Sequence, residues 1–177
     1  AIAWSQGVRP SVIRDAIEEF RGCGRRFEFR GIWRGVTLID DYAHHPSEIQ
    51  ATLRAAREMF PNRRIWSVFQ PHQLSRTRSL FDSFGRSFGD ANRVVIADIY
   101  TAREQLSELA AETALQLATA ITENGGDARH IADAGSIIAY LEANLEPADV
   151  LLVMGAGDIG KVADAFARRL SRHRQAG

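Results

Sequence analysis

The chain has a single cysteine, Cys23, among 177 residues. No disulfide can form within it, and such cysteine usage fits a reducing compartment. Neither sign of charge is in excess, because 22 basic and 22 acidic residues cancel. No whole-chain field therefore gathers nucleic acid or an anionic membrane, and any anion must be held by locally placed arginines. No apolar run approaches the length of a membrane span, and no charged-then-apolar segment opens the chain as a secretory signal would. Internal repeats and low-complexity stretches are absent. These absences lead to the expectation of a cytoplasmic protein without nucleic-acid or membrane partners. The first residue is Ala1 rather than Met, so the chain is expected to be a piece or a processed form of a longer polypeptide. What remains, 45% hydrophobic and 25% charged, is the composition of a soluble domain with mass enough for a real core.

Four apolar runs of strand length stand out: 36–41, 64–69, 94–97 and 150–154. Helical patterns lie between them at 47–59, 76–88, 107–124, 135–145 and 159–173, with a weaker strand signal at 128–131. Alternating strand and helix with apolar strands predicts an α/β fold, a Rossmann-like three-layer domain with a mostly parallel sheet and helices on both faces. The opening differs in character. Ser11 reads as the cap of a helix with Val12, Ile13, Ile17 and Phe20 at helical spacing, stopped by Gly22-Cys23-Gly24. Residues 25–31 alternate as a strand should, and Gly31 to Gly35 suggests a turn. Too few apolar residues are present for this segment to fold alone. Residues 1–30 are expected to be the tail of a preceding domain with a hinge, and 31–177 the main domain.

The most informative stretch is Asp40-Asp41-Tyr42-Ala43-His44-His45-Pro46-Ser47-Glu48. It joins a strand to a helix, the edge at which open α/β sheets bind ligands. A structural turn could use the Asp and Pro, but it has no need of a phenol and two imidazoles. A second junction, Phe69-Gln70-Pro71-His72-Gln73-Leu74-Ser75-Arg76-Thr77-Arg78, brings His, Ser and Arg to the same edge. Arg76 in the first turn of a helix suits a carboxylate or phosphate; the plainer alternative is a proline loop with Ser75 as cap and solvated arginines.

Gly155-Ala156-Gly157-Asp158-Ile159-Gly160 has the glycine spacing of dinucleotide binding, but in the last strand–helix unit and with only a short stretch after it. Tight turning and close helix packing explain these glycines better. Arg103 and Glu104 either line the same cleft or pair on the surface. Cys23 has no histidine near it in sequence, so a catalytic thiol is not expected. His44 and His45 are adjacent and their side chains diverge, which argues against a shared metal with His72. His130 and His173 read as ordinary surface residues.

Arg25-Arg26-Phe27, the Asp40-to-Pro46 run, Phe69-Gln70-Pro71-His72, Ser75-Arg76-Thr77-Arg78 and Gly155-to-Gly160 occur in the order and spacing of the Mur ligases, and the chain resembles the C-terminal part of that family. The resemblance implies an ATP-dependent, magnesium-assisted ligase, nearest to members that join L-alanine to UDP-N-acetylmuramate through an acyl phosphate. The family's phosphate-binding loop and UDP-sugar domain are not found in this sequence. ATP and magnesium would be held mainly by a central domain outside it, so the chain alone is expected to be inactive. By motif, Arg26 or its neighbour Arg25 would reach the ATP phosphates and Asp41 would hold the ribose. Tyr42, His44, His72 and Arg76 would line the amino-acid pocket, with Arg76 pairing the carboxylate. The resemblance assigns no residue here to the chemical step and none to a metal. Gln73 stands where the family commonly has Arg, which leaves carboxylate recognition to Arg76 alone or with help from Arg78 or Arg103. Two alternatives remain: a murein-recycling ligase that takes a tripeptide, and a non-catalytic nucleotide-binding module or scaffold.

Overall fold

A computed structural model describes residues 2–19, 24–101 and 107–174. Two N-terminal helices, α1 (Ile2–Ser5) and α2 (Pro10–Glu19), precede a hairpin of β1 (Glu28–Trp33) and β2 (Val36–Asp41). Next come α3 (Pro46–Met59), β3 (Ile65–Phe69), α4 (Leu74–Ser79), α5 (Phe81–Gly85), β4 (Arg93–Ile96) and α6 (Ser107–Glu123). The chain ends with β5 (Ala128–His130), α7 (Ala134–Asn144), β6 (Val150–Met154) and α8 (Gly160–Arg174). One sheet of six strands forms, in the order β1-β2-β6-β3-β4-β5. β1 runs antiparallel to β2, and the remaining pairings are parallel.

Strand side chains alternate between faces, so a continuous apolar run feeds two cores at once. Leu152 and Met154 face the layer of α3, α5 and α6, where Ile49, Leu53, Phe84 and Leu117 are buried. Leu151 and Val153 face the layer of α7 and α8, with Ile137, Leu141, Val162 and Phe166. Each such side chain contributes roughly 1.5–3 kcal/mol by leaving water. The three-layer α/β fold expected from the sequence is the one observed. Among the described residues no helix is long and apolar enough to cross a membrane.

The structure departs from the sequence expectations at four places. The expected helix 76–88 is two helices, α4 and α5, jointed at Leu80. Thr77 and Ser79 hydroxyls donate to the Gln73 and Arg76 carbonyls, back-bonding that bends helices. The expected strand at 25–31 begins only at Glu28, because Arg25 and Phe27 take positive φ angles of 54° and 48°. Gly31 belongs to β1, where the register slips, and the hairpin turn is Arg34-Gly35 with φ of 48° and 82°, the left-handed pair that matches strand twist. α2 starts at Pro10, so Ser11 lies inside its first turn rather than capping it. Proline suits that first position, since its missing N–H would be unpaired there anyway. Neither α1 nor α2 has a buried residue, and Trp4 and Ile17 stay about two-thirds exposed, at 69% and 68%.

β6 is last in sequence yet lies between β2 and β3. The loop after it therefore emerges between the two histidine-bearing loops.

Candidate functional site

At the carboxyl end of β2 both acidic residues are buried. The Asp41 carboxylate accepts from Ala43 N at 2.7 Å and from Phe27 N at 2.6 Å. Tyr42 N donates to the Arg25 carbonyl at 2.7 Å. The segment before β1 is thus stitched along the end of β2. Arg25 Nη2 donates to the Gly155 carbonyl at 2.6 Å, and its Nε lies 3.3 Å from Asp40 Oδ1. Arg30 approaches the other Asp40 oxygen at 3.5 Å. Burial nevertheless pushes the Asp40 carboxyl above its ordinary value, and Arg25, then Arg30, only partly offset it. Arg26 is exposed. Its guanidinium carbon lies 5.7 Å from the Tyr42 ring centroid, with that of Arg25 at 5.3 Å. The two arginines paired in sequence are therefore unlike: one is held by the fold and one faces solvent.

The two histidines divide in the same way. His45 caps α3 and accepts from Ser47 N, while Glu48 reaches back to the backbone N–H groups of both histidines at 2.9 and 3.1 Å. This reciprocal cap closes the α3 N-terminus with the chain's own groups. Burial raises the Glu48 pKa, but the His44 N–H, the His44 ring, the His45 N–H and Arg26 together hold it below its ordinary value. His44 Nδ1 lies 3.0 Å from the Tyr42 carbonyl. A carbonyl only accepts, so this contact places the proton on Nδ1. The His44 ring meets Tyr42 edge-on at 5.5 Å and His72 at 6.3 Å.

Beyond β3, the sheet ladder continues as a parallel bridge between His72 and Tyr100. Tyr100 N donates to Pro71 O at 2.8 Å and Gln73 N to Tyr100 O at 2.9 Å. The Tyr100 ring stacks on the His72 imidazole at 5.5 Å and 22°. Four rings thus run along the sheet edge as a row: Tyr42, His44, His72, Tyr100. Gln73 carries φ 68° and ψ 125° and makes no side-chain cap to α4, a costly backbone state for a residue other than glycine. α4 begins at Leu74, so Ser75 lies inside its first turn, and so does Arg76. Arg76 Nη1 is buried and makes no hydrogen bond among the described residues.

The β6–α8 loop is clamped from β3. Gln70 Nε2 donates to Asp158 Oδ1 at 2.9 Å, and Gln70 Oε1 accepts from Ile159 N at 3.1 Å. Lys161 Nζ donates to the second Asp158 oxygen at 2.7 Å. Lys161, then Gln70, lower the Asp158 pKa. A Cβ on Gly157 would stand 2.7 Å from the Tyr100 ring and collide with Gln70. The glycine pattern admits the chain's own Gln70 and Tyr100, in line with the packing reading of the sequence.

Tyr42, His44 and His72 share the ring row, and Arg76 follows one turn into the next helix. Asp41 instead points its carboxylate at backbone amides. Gln70, Tyr100 and Glu48 also build this edge; Glu48 and Gln70 stand within the sequence motifs, but none of the three was assigned a role from sequence. Glu48 carried a signal, as an acid three residues into a helix, and Gln70 stood inside the Phe69-to-His72 motif; Tyr100 carried none. His130 is not an ordinary surface residue: its ring is 17% exposed and Nε2 donates to Asp98 Oδ1 at 2.6 Å. Cys23, Arg103 and Glu104 lie outside the described residues, as does the His173 side chain. Among the described residues no group of three His, Cys, Asp or Glu side chains could hold a metal ion.

A mostly parallel sheet edged by arginine, imidazole and phenol has the form of an α/β domain of the Mur ligase type. The chain belongs to the Mur ligase, glutamate ligase domain family, whose sequence model matches residues 25–157. A UDP-N-acetylmuramate--L-alanine ligase of Acetivibrio thermocellus is 44% identical over 170 residues, 95% of this chain and 35% of that protein. One of the same name from Geobacter sulfurreducens is 40% identical over 177 residues, 99% of this chain and 38% of that protein. Among solved structures, the UDP-N-acetylmuramate-alanine ligase MurC of Thermotoga maritima superposes with a TM-score of 0.77 at 26% identity, covering 97% of this chain and 36% of that one. A murein peptide ligase of Psychrobacter arcticus shares the fold, with a TM-score of 0.68 at 23% identity over 95% of this chain and 34% of that one. The chain spans little more than a third of the length of these relatives.

Proposed function

We propose that the chain is the C-terminal domain of a cytoplasmic, ATP-dependent ligase that joins L-alanine to UDP-N-acetylmuramate through an acyl phosphate. The observation that carries this reading is Arg76. A guanidinium nitrogen buried without a partner among the described residues, in the first turn of the helix that follows His72, suits a small ligand bearing a carboxylate. Similarity to relatives named for that reaction along nearly the whole chain supports it. In this reading residues 1–30 are the tail of the central domain and a hinge, and 31–177 the amino-acid-binding domain. The exposed apolar residues of α1 and α2 are what a segment belonging to a neighbouring domain would present.

Arg76 pairs the amino-acid carboxylate, while Tyr42, His44 and His72 surround the rest of the molecule. Arg26, rather than the engaged Arg25, extends toward the ATP phosphates. Asp41 faces the ribose with the lone pairs left after its two backbone bonds, a carboxylate acceptor suiting a diol. ATP supplies the phosphoryl group that activates the lactyl carboxylate, and it is held with magnesium mainly by the central domain.

ADP release tests the reading, using the complete polypeptide with ATP, magnesium and UDP-N-acetylmuramate. Release with L-alanine, reduced at least about a hundredfold in kcat/KM by Arg76→Ala, is expected. Release only with a murein tripeptide would move the protein to recycling chemistry, and no release with either would sink the ligase reading.

A further inference from the structure

We propose that Tyr100 is a specificity-determining residue, the wall of the amino-acid pocket that limits the size of the side chain admitted. This rests on the ligase reading above and adds a residue to its site. The bridge between His72 and Tyr100 makes them paired neighbours on one side of the extended sheet. The phenol ring is fixed from two directions. It stacks on His72 at 5.5 Å, and the bare Cα of Gly157 lets it lie where a Cβ would come within 2.7 Å. Its backbone N–H and carbonyl are both hydrogen-bonded, to Pro71 and Gln73. Yet the residue keeps 37% of its surface exposed. A ring locked on two sides and open on another is a rigid wall facing the same edge as His72.

Its chemistry sets what it can recognise. A guanidinium and imidazoles read the charged ends of an amino acid by hydrogen bonds. The face of an aromatic ring reads only volume, and an added methylene against such a wall shifts selectivity by about ten- to two-hundredfold. Tyr100 lies on the segment that follows β4, the ring of the row farthest along the strand order from Tyr42, which places it at the end opposite the arginines of the 25–26 segment.

The test is the ratio of kcat/KM for L-alanine over L-valine in ADP release by the complete polypeptide. Tyr100→Phe should keep the wild-type ratio. Tyr100→Leu should lower it about tenfold or more, mainly by improving valine. Tyr100→Trp, with added bulk, should raise KM for L-alanine more than KM for glycine, and it decides the matter if the leucine variant does not fold. An active wild type whose ratios are unchanged in the folded variants overturns the inference alone. A wild type without L-alanine-dependent release overturns the ligase reading, and the inference with it.

Discussion

Gln70 at the end of β3 grips Asp158 at the end of β6, its amide nitrogen donating at 2.9 Å while its amide oxygen accepts from Ile159 N. One side chain thereby satisfies a buried backbone N–H and orients the acid beside it. Gln70→Ala removes both bonds and leaves the Ile159 N–H without an acceptor. A loss of about 1–3 kcal/mol is expected, read as a lower urea midpoint. Gln70→Glu should cost at least as much near neutral pH, because it sets a second carboxylate against Asp158.

Asp41 serves two backbone amides with its two oxygens. Asp41→Asn retains one acceptor and offers a donor where an acceptor is needed. It should destabilise the domain by about 1–3 kcal/mol. Hydrogen exchange at the Phe27 amide should accelerate, since that bond anchors the segment preceding β1; unchanged exchange there would refute the tether.

The neighbouring arginines should separate cleanly by experiment. Arg25→Ala leaves buried Asp40 with Arg30 alone and breaks the bond to the Gly155 carbonyl. Stability should fall by about 2 kcal/mol, less than the roughly 3–5 kcal/mol of stripping a buried charge of its sole partner, because Arg30 still faces Asp40. Arg26→Ala removes an exposed side chain and should move the unfolding midpoint by less than about 0.5 kcal/mol. On the proposed ligase reading, the Arg26 variant of the complete polypeptide should instead raise KM for ATP.

Two glycines make a matched control. Gly157→Ala drives a Cβ into Gln70 and the Tyr100 ring, and overpacking of that kind costs about 1–3 kcal/mol. Gly89 has nothing within 4 Å of its would-be Cβ and no positive φ. Gly89→Ala should be neutral or stabilising by about 0.4–1 kcal/mol, because it narrows the unfolded ensemble. Thermal unfolding of both variants checks the pair.

Acid should weaken the fold through Glu48. Its folded pKa lies below 4.5, so between those values the unfolded chain binds more protons. The stabilisation is therefore complete above 4.5 and is lost as pH falls through the folded value. Asp158, lowered from 3.8, acts in the same direction. Asp40, raised from 3.8, acts in the other: its contribution is present below 3.8 and lost as pH rises through its folded value. Glu48→Gln keeps an acceptor at the third helical position, as a capping box allows. It should lose less stability than the wild type between about pH 6 and about pH 3, measured by urea midpoints; an identical slope would show that Glu48 is not responsible.

Much of the candidate site was legible in the sequence. Strand ends and helix starts are local events, marked by Val36–Asp41 before Pro46 and by Ile65–Phe69 before Leu74, so Tyr42, His44, His72 and Arg76 could be put on one edge from pattern alone. The identity of roles within pairs was not legible. His44 and His45 are indistinguishable by type, and only the α3 cap assigns His45 to the helix. Arg25 and Arg26 are likewise separated only by Asp40 and Gly155, the latter far away in sequence.

By itself the sequence determined the alternation of strand and helix, the two-faced burial of Val150–Met154 and the edge where Tyr42, His44, His72 and Arg76 gather, because hydrophobic period and turn chemistry act over a few residues. Tertiary structure alone decided that β6 enters between β2 and β3, that Gln70 fills the turn of Gly155–Ile159, and that Tyr100 stacks on His72. Those outcomes depend on which strands pair and how tightly their loops pack. Pairing is chosen by burial summed over the whole sheet rather than by any local pattern.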